Sequence, residues 1–253
     1  MALLKDQPIS CLAEWMAYDS KLSILSEQES TSIEAKSRLA QNEIETQVTS
    51  FLLRHSGLSE NAARQSLDKV VVTEALSRWH SMLTLSLFYI DLASLQNSTL
   101  HRDQSQCFDL KAKAAMDQLF ETGLGIVNLP IPKAPIPFIV SNPGTGEPRI
   151  LRGRIRFQDV DGALGAPSSE FVLDMSSGES MELSVENLPS RVAGWLLYLG
   201  ESSEPLYKSM PTPISAGLPF LVTAGLPPVN AEEITKPSQL PDRFVRYSTE
   251  LWR

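Results

Sequence analysis

Cysteine is scarce: Cys11 and Cys107 are the whole complement of 253 residues. A disulfide-stapled scaffold needs more cysteines in a shorter chain, and neither residue sits in a CxxC pair that would start a thiolate zinc site. Two reduced thiols, each packed as a small apolar group, are the expectation. Histidine is equally sparse. His55, His80 and His101 stand far apart, without HExxH or any related pair. His80 follows Trp79 in the most apolar segment and reads as a buried or edge histidine with its bonds satisfied. No GKS or GKT occurs, and no GxSxG elbow. Gly144-Thr145-Gly146 lacks the third glycine and following helix of a dinucleotide loop, and Gly123-Leu124-Gly125 follows a helix, the wrong order for phosphate. Asp159-Val160-Asp161-Gly162 lacks the third acid and terminal glutamate of a calcium loop and reads as an Asp-Gly turn. Asn97-Ser98-Thr99 is a sequon, relevant only to a secreted chain. The expectation is a protein that is not an enzyme, with no catalytic residue, cofactor or metal site.

Long apolar runs are missing too. The greasiest stretch, Met82 to Leu95, is short and carries Thr84, Ser86, Asp91 and Ser94, which excludes a membrane span there. The opening MALLKDQPIS has Lys5 and Asp6 and no apolar h-region, so no signal peptide is expected, and a reducing cytoplasm or a particle assembled there fits. Lys and Arg number 22 against 30 Asp and Glu, a net charge of −8. That excludes a surface built throughout to grip nucleic acid, though not a local basic patch. Apolar residues at 42% supply a real core.

Proline and glycine are rare in the first half only. Of 17 prolines, Pro8 alone precedes Pro130; of 13 glycines, Gly57 alone precedes Gly123. Both residues break helices and punctuate turns, so residues 1–125 are predicted helical and the remainder short strands and loops, in two domains. Helices are predicted from about Ser10 to Tyr18 with Ser10 as cap, from Ser32 to His55 with Gly57 as its stop, from Ser59, from Thr73 to Leu95, and from Ser105 to Thr122 before Gly123. Together they make a small bundle. The third long helix is apolar nearly all round, which places it at the centre of its domain or against a neighbouring subunit.

Residues 126–148 alternate prolines with apolar residues. Each proline fixes its own φ and extends its predecessor, giving a stiff connector. It is either a plain linker or an arm laid along another chain, where Ile131, Ile136, Phe138 and Ile139 would find cover. From 149 to 240 the strand candidates are Arg154–Phe157, Phe171–Leu173, Met181–Val185, Trp195–Leu199, Leu206–Tyr207 and Phe220–Val222. Turn signals separate them, as in a small β-sandwich. Arg152, Arg154 and Arg156 share one strand face, open to solvent or to an acidic partner or nucleic acid. Residues 241–253, PDRFVRYSTELWR, collect Arg243, Phe244, Arg246, Tyr247, Leu251, Trp252 and Arg253, residue types enriched at interface hot spots. They either close the sandwich or dock on a second subunit.

Three stretches together carry a resemblance. These are Val72 to Gln96 with Trp79-His80 leading an apolar helix; His101 to Pro135, where a Lys-bearing helix runs into Gly123-Leu124-Gly125-Ile126-Val127 and the prolines; and Gly194-Trp195-Leu196-Leu197-Tyr198-Leu199-Gly200 with Leu206-Tyr207-Lys208 and Pro241-Asp242-Arg243-Phe244. The last resembles the middle strands of a fibronectin type III module. The layout resembles the neck proteins of tailed bacteriophages, the head-to-tail connectors or adaptors below the portal ring. The resemblance implies an α+β fold, with an N-terminal ring-forming helical bundle and a C-terminal fibronectin III/Ig-like sandwich. It implies a structural virion protein of the neck, a homo-oligomer, commonly a dodecamer. Its partners would be the portal protein and a tail terminator or tail tube protein, with DNA only in passage and no membrane. Phe88, Tyr89, Ile131, Ile136, Phe138, Arg243, Phe244, Tyr247, Leu251, Trp252 and Arg253 are then the candidate oligomer and partner contacts. Another tail-completion or baseplate protein, a cellular binding module with an Ig-like domain, and an enzyme with an unmarked site stay open.

Overall fold

The computed structural model describes residues 2–6, 8–28, 31–56, 59–144, 148–176, 179–203, 205–222, 234 and 239–246. Helices dominate the first half and antiparallel strands the second, an α+β arrangement. The helices are α1 Leu12–Tyr18, α2 Leu22–Gln28, α3 Ile33–Ser56, α4 Glu60–Ser66, α5 Glu74–Gln96 and α6 Thr99–Thr122. The strands are β1 Leu124–Ile126, β2 Phe138–Pro143, β3 Arg149–Asp159, β4 Phe171–Met175, β5 Glu179–Ser184, β6 Val192–Gly200, β7 Tyr207–Lys208, β8 Phe220–Val222 and β9 Arg243–Val245. The chain forms two compact units. One comprises Leu3–Asn128 and the segment returning at Pro241; the other comprises Leu129–Leu240.

Local chemistry sets the helix ends. Thr73 caps α5, its hydroxyl accepting from the Leu76 N–H. α6 begins six residues before the expected start, because Ser98 rather than Ser105 caps it, accepting from the His101 N–H. The short turn into it is made by Asn97, whose φ of 49° lies in the left-handed region that asparagine tolerates. Ser10 does not cap α1. Cys11 holds that position, its N–H bonded to the Glu14 carboxylate, and Ser10 is used elsewhere. Gly57 lies outside the described residues.

The helical core is shared by α3 (Ile44, Val48, Phe51, Leu52), α5 (Leu76, Trp79, Met82, Leu85, Phe88, Leu92) and α6 (Phe108, Ala112, Ala115, Leu119, Phe120). α5 lies at its centre, as its all-round apolarity required. Phe51 stacks on Phe120 with ring centres 4.3 Å apart, and Tyr89 on Phe108 at 5.7 Å. Each large side chain so buried contributes about 1.5–3 kcal/mol. The unit also holds a small sheet. β1 pairs antiparallel with β9, and bridges join Ile126 to Val70 and Val71 to Leu3. The first and last described segments thus meet in one sheet. The Asp242 N–H donates to the Ile126 carbonyl, and the Asn128 N–H to the Asp242 carboxylate at 2.7 Å.

The second unit has two antiparallel sheets, ordered β2-β5-β8 and β4-β3-β6-β7. Leu151, Ile155, Leu173, Leu197 and Leu199 from one and Met181, Leu183 and Val222 from the other meet in one core around Trp195. The proline-bearing segment belongs to this unit and is not a free linker. Ile131 and Ala134 are buried in the core, and the Ala134 N–H donates to the Ala166 carbonyl. Extended backbone with every third or fourth apolar side chain turned inward packs as well as a strand does. Residues 241–246 close the helical unit's small sheet, not the β unit.

Candidate functional site

The most concentrated polar chemistry lies inside the helical unit. His80 Nδ1 is 2.6 Å from Ser10 Oγ, and His80 Nε2 is 3.0 Å from the Ser37 carbonyl. A carbonyl only accepts, which assigns the proton to Nε2. Nδ1 then accepts from the Ser10 hydroxyl, and Ser10 Oγ accepts the Trp15 indole N–H at 2.6 Å. Burial disfavours the imidazolium and lowers the His80 pKa from 6.5 to about 4, against smaller upward pulls from the Ser37 carbonyl and Glu14. The ring is neutral at neutral pH, and its nitrogens are engaged by residues of other segments. The network ties the segment before α1 to α3 and α5.

A second, half-buried pair joins Tyr89, whose hydroxyl donates to the Asp19 carboxylate. Burial first, then Asp19, raises the phenol pKa well above its usual value. An open groove of about 510 Å³ runs along α3, lined in part by Lys5, Glu45, Thr46, Thr49 and Ser50. Its groups are mutually engaged: Lys5 pairs with Glu45 at 2.6 Å, and the three hydroxyls donate to carbonyls four residues back. Among the described residues no cluster of three or more His, Cys, Asp or Glu could hold a metal, and no helix is long and apolar enough to cross a membrane. The Asp159 carboxylate accepts from the Asp161 and Ala163 N–H groups, making the expected Asp-Gly turn with Gly162 at φ 85°.

The arginine row meets an acid of its own chain. Arg152 and Arg154 converge on Glu170, at 2.7 and 3.8 Å. Arg156 is buried, its Nε–H donating to the Gly165 carbonyl.

The expected contact residues separate into three groups. Phe88, Tyr89 and Ile131 are internal, the first two in the helical core and the third in the β core. They are corrected from contact to packing residues. The run of large side chains that marked Phe88 and Tyr89 is what a central helix needs. Ile136, Phe138, Arg243 and Phe244 are exposed. Tyr247, Leu251, Trp252 and Arg253 lie outside the described residues. Both cysteines are exposed, against the expectation that they pack as small apolar groups.

Two apolar surfaces went unread in the sequence. On α6, Leu100, Cys107, Leu110 and Ala114 are all exposed. Their spacing of seven, three and four places them on one side of the helix, turned away from the core stripe of Phe108, Ala112, Ala115 and Leu119, with the exposed Asp103 between Leu100 and Cys107 on the same side. The heptad spacing 100, 107, 114 was the available signal, hidden because the stronger core stripe explained the helix. In the β unit, Val140 and Leu221 are exposed beside Phe138 and Leu218. The five apolar residues of IPFIV concealed the alternation that turns Val140 outward together with Phe138, which was already among the expected contacts. No family model, no curated protein and no solved structure matches this chain.

Proposed function

We propose that the chain is a structural subunit that works as an oligomer, and that it serves in the neck of a tailed bacteriophage as an adaptor between portal and tail. The observation that carries the reading is the second apolar stripe of α6. Leu110, at its middle, is 68% exposed, and small residues, Cys107 and Ala114, flank it. A helix with a core stripe and an outward stripe packs against its own bundle and against a second helix. Small residues let that helix approach closely. Repetition of one such head-to-tail contact between copies makes a ring where its rotation closes. The net charge of −8 suits a channel that passes DNA without holding it. In this reading the copies form the ring, with the portal protein on one side and the tail terminator or tube on the other.

The β unit reads as a sandwich of fibronectin III/Ig type. The order β4-β3-β6-β7 beside β2-β5 corresponds to C′-C-F-G beside B-E in the lettering of that class, while β8, which follows the G equivalent and pairs with the E equivalent β5, lies outside that pattern. The experiment is imaging of the purified chain, alone and with a portal ring. Rings are expected, with Cys107 protected from a thiol reagent on assembly and ring formation lost in Leu110→Lys. A chain that stays solitary with the portal present overturns the reading.

A further inference from the structure

The chain leaves the helical unit and re-enters it at one point. β1 runs out to Ile126 and β9 runs back against it, with Leu124 opposite Val245 and Ile126 opposite Arg243. The two strands stay joined past that pair. The Asp242 N–H donates to the Ile126 carbonyl at 2.9 Å, and the Asn128 N–H to the Asp242 carboxylate at 2.7 Å. Just inside the β unit, the buried Gln239 clasps the outgoing chain. Its Oε1 accepts from the Ile131 N–H at 3.3 Å, and its Nε2 donates to the Leu129 carbonyl at 3.4 Å. Outgoing and returning backbones therefore lie one strand spacing apart, about 5 Å, a gap that a two-residue turn spans. β1 and β9 are the two arms of a hairpin, and residues 129–240 stand where its turn would be. Each unit also closes its own core. Among the described residues the helical core draws on Leu4 to Ile126 with Val245 against it, and the β core on Ile131 to Val222. Insertion of a domain is tolerated where its host's chain ends lie side by side.

We infer that the helical unit is the assembling module and folds without a folded β unit, which is an insertion into its β1–β9 hairpin. This rests on the reading that the chain self-assembles through α6, which lies wholly in the helical unit. From beyond the insertion the host needs only the segment that carries β9. With the β unit unfolded, β9 has to be recovered across a long loose loop. The entropy cost of closing a loop rises only with the logarithm of its length, so that recovery is weakened and not abolished. The six helices need no recovery, since they follow one another along the chain from Leu12 to Thr122. The ring contact and the β unit are then separable: the assembly carries the β unit and is not built by it.

The test is made in the full chain, with Leu151→Asp and Leu197→Asp combined. Both leucines are wholly buried in the β core, and two unpaired carboxylates there unfold it. The near-UV signal of Trp195 reports the β unit, and far-UV circular dichroism reports the helices. The expected result is loss of the Trp195 signal with the helical signal retained, a cooperative helical transition in urea, and rings still formed. Loss of the helical signal together with that of Trp195 overturns the inference. The milder Gly153→Ala, whose methyl group crowds Phe171, is the second variant. Its Trp195 transition moves to lower urea while the helical transition stays in place; a matched shift of both overturns the inference. Helices retained without rings, where the wild type forms rings, overturn the assignment of assembly to the helical unit. A wild-type chain solitary even with the portal overturns the assembly reading, and retained helices in the double variant then leave the insertion standing.

Discussion

Replacing His80 by glutamine should remove a large part of the helical unit's sensitivity to mild acid. The folded ring has a pKa of about 4 against 6.5 when unhindered. Between those values the unfolded chain binds a proton that the folded chain refuses, so unfolding stability rises with pH through that window. The contribution is fully present above the unfolded value and is lost as pH falls toward the folded one. The full difference corresponds to about 3 kcal/mol, of which about 2 kcal/mol falls between about pH 7 and about pH 5. His80 is wholly buried, so solvent screening takes little from that figure. The assay is urea unfolding followed by far-UV circular dichroism, which reports the helices, on wild type and His80→Gln at both pH values. The variant is less stable at neutral pH, because the bonds to Ser10 and Ser37 are imperfectly replaced, but its loss on acidification is smaller by about 2 kcal/mol. Equal losses in the two proteins would refute the account of a neutral, proton-refusing imidazole.

Two further substitutions test the packing. A methyl group at Gly153 would sit 2.6 Å from two ring carbons of Phe171 and 3.0 Å from Leu199 Cδ2. Gly153→Ala should therefore destabilise the β unit by about 1–3 kcal/mol, read as an earlier loss of the near-UV signal of Trp195. The Thr84 hydroxyl is buried with no hydrogen-bond partner among the described residues. Thr84→Val keeps the shape and removes the unpaired group, so it should stabilise the helical unit by about 1 kcal/mol in the same urea assay. A destabilised Thr84→Val would show that the hydroxyl is bonded after all.

How much could be read in advance differs from element to element. α3 and α5 were legible because a cap residue and a long stretch without proline or glycine agreed with the apolar pattern, a single stripe in α3 and near all-round apolarity in α5. α2 was not, since Leu22, Ile24 and Leu25 fall within four residues of a seven-residue segment, too short to show a helical period. The start of α6 was lost because Thr99–Gln104 is polar apart from Leu100 and the turn depends on one left-handed asparagine. Ser10 illustrates a different limit. A serine before a helix is a good cap locally, but the tertiary fold brings His80 to 2.6 Å from its hydroxyl, and the capping role passes to Cys11 and Glu14.

The amino-acid order alone determined the class of each half, because proline and glycine act on the backbone within a residue or two and cannot be overruled cheaply. It also determined the scarcity of reactive groups, which is a matter of composition. Tertiary structure decided which large apolar residues are core and which are surface. Phe88 and Phe138 are the same residue type, yet one is enclosed by helices and the other lies on an open strand. It also decided that residues 243–245 return to the helical unit, because strand pairing joins backbones that lie more than a hundred residues apart and leaves no local trace in either segment.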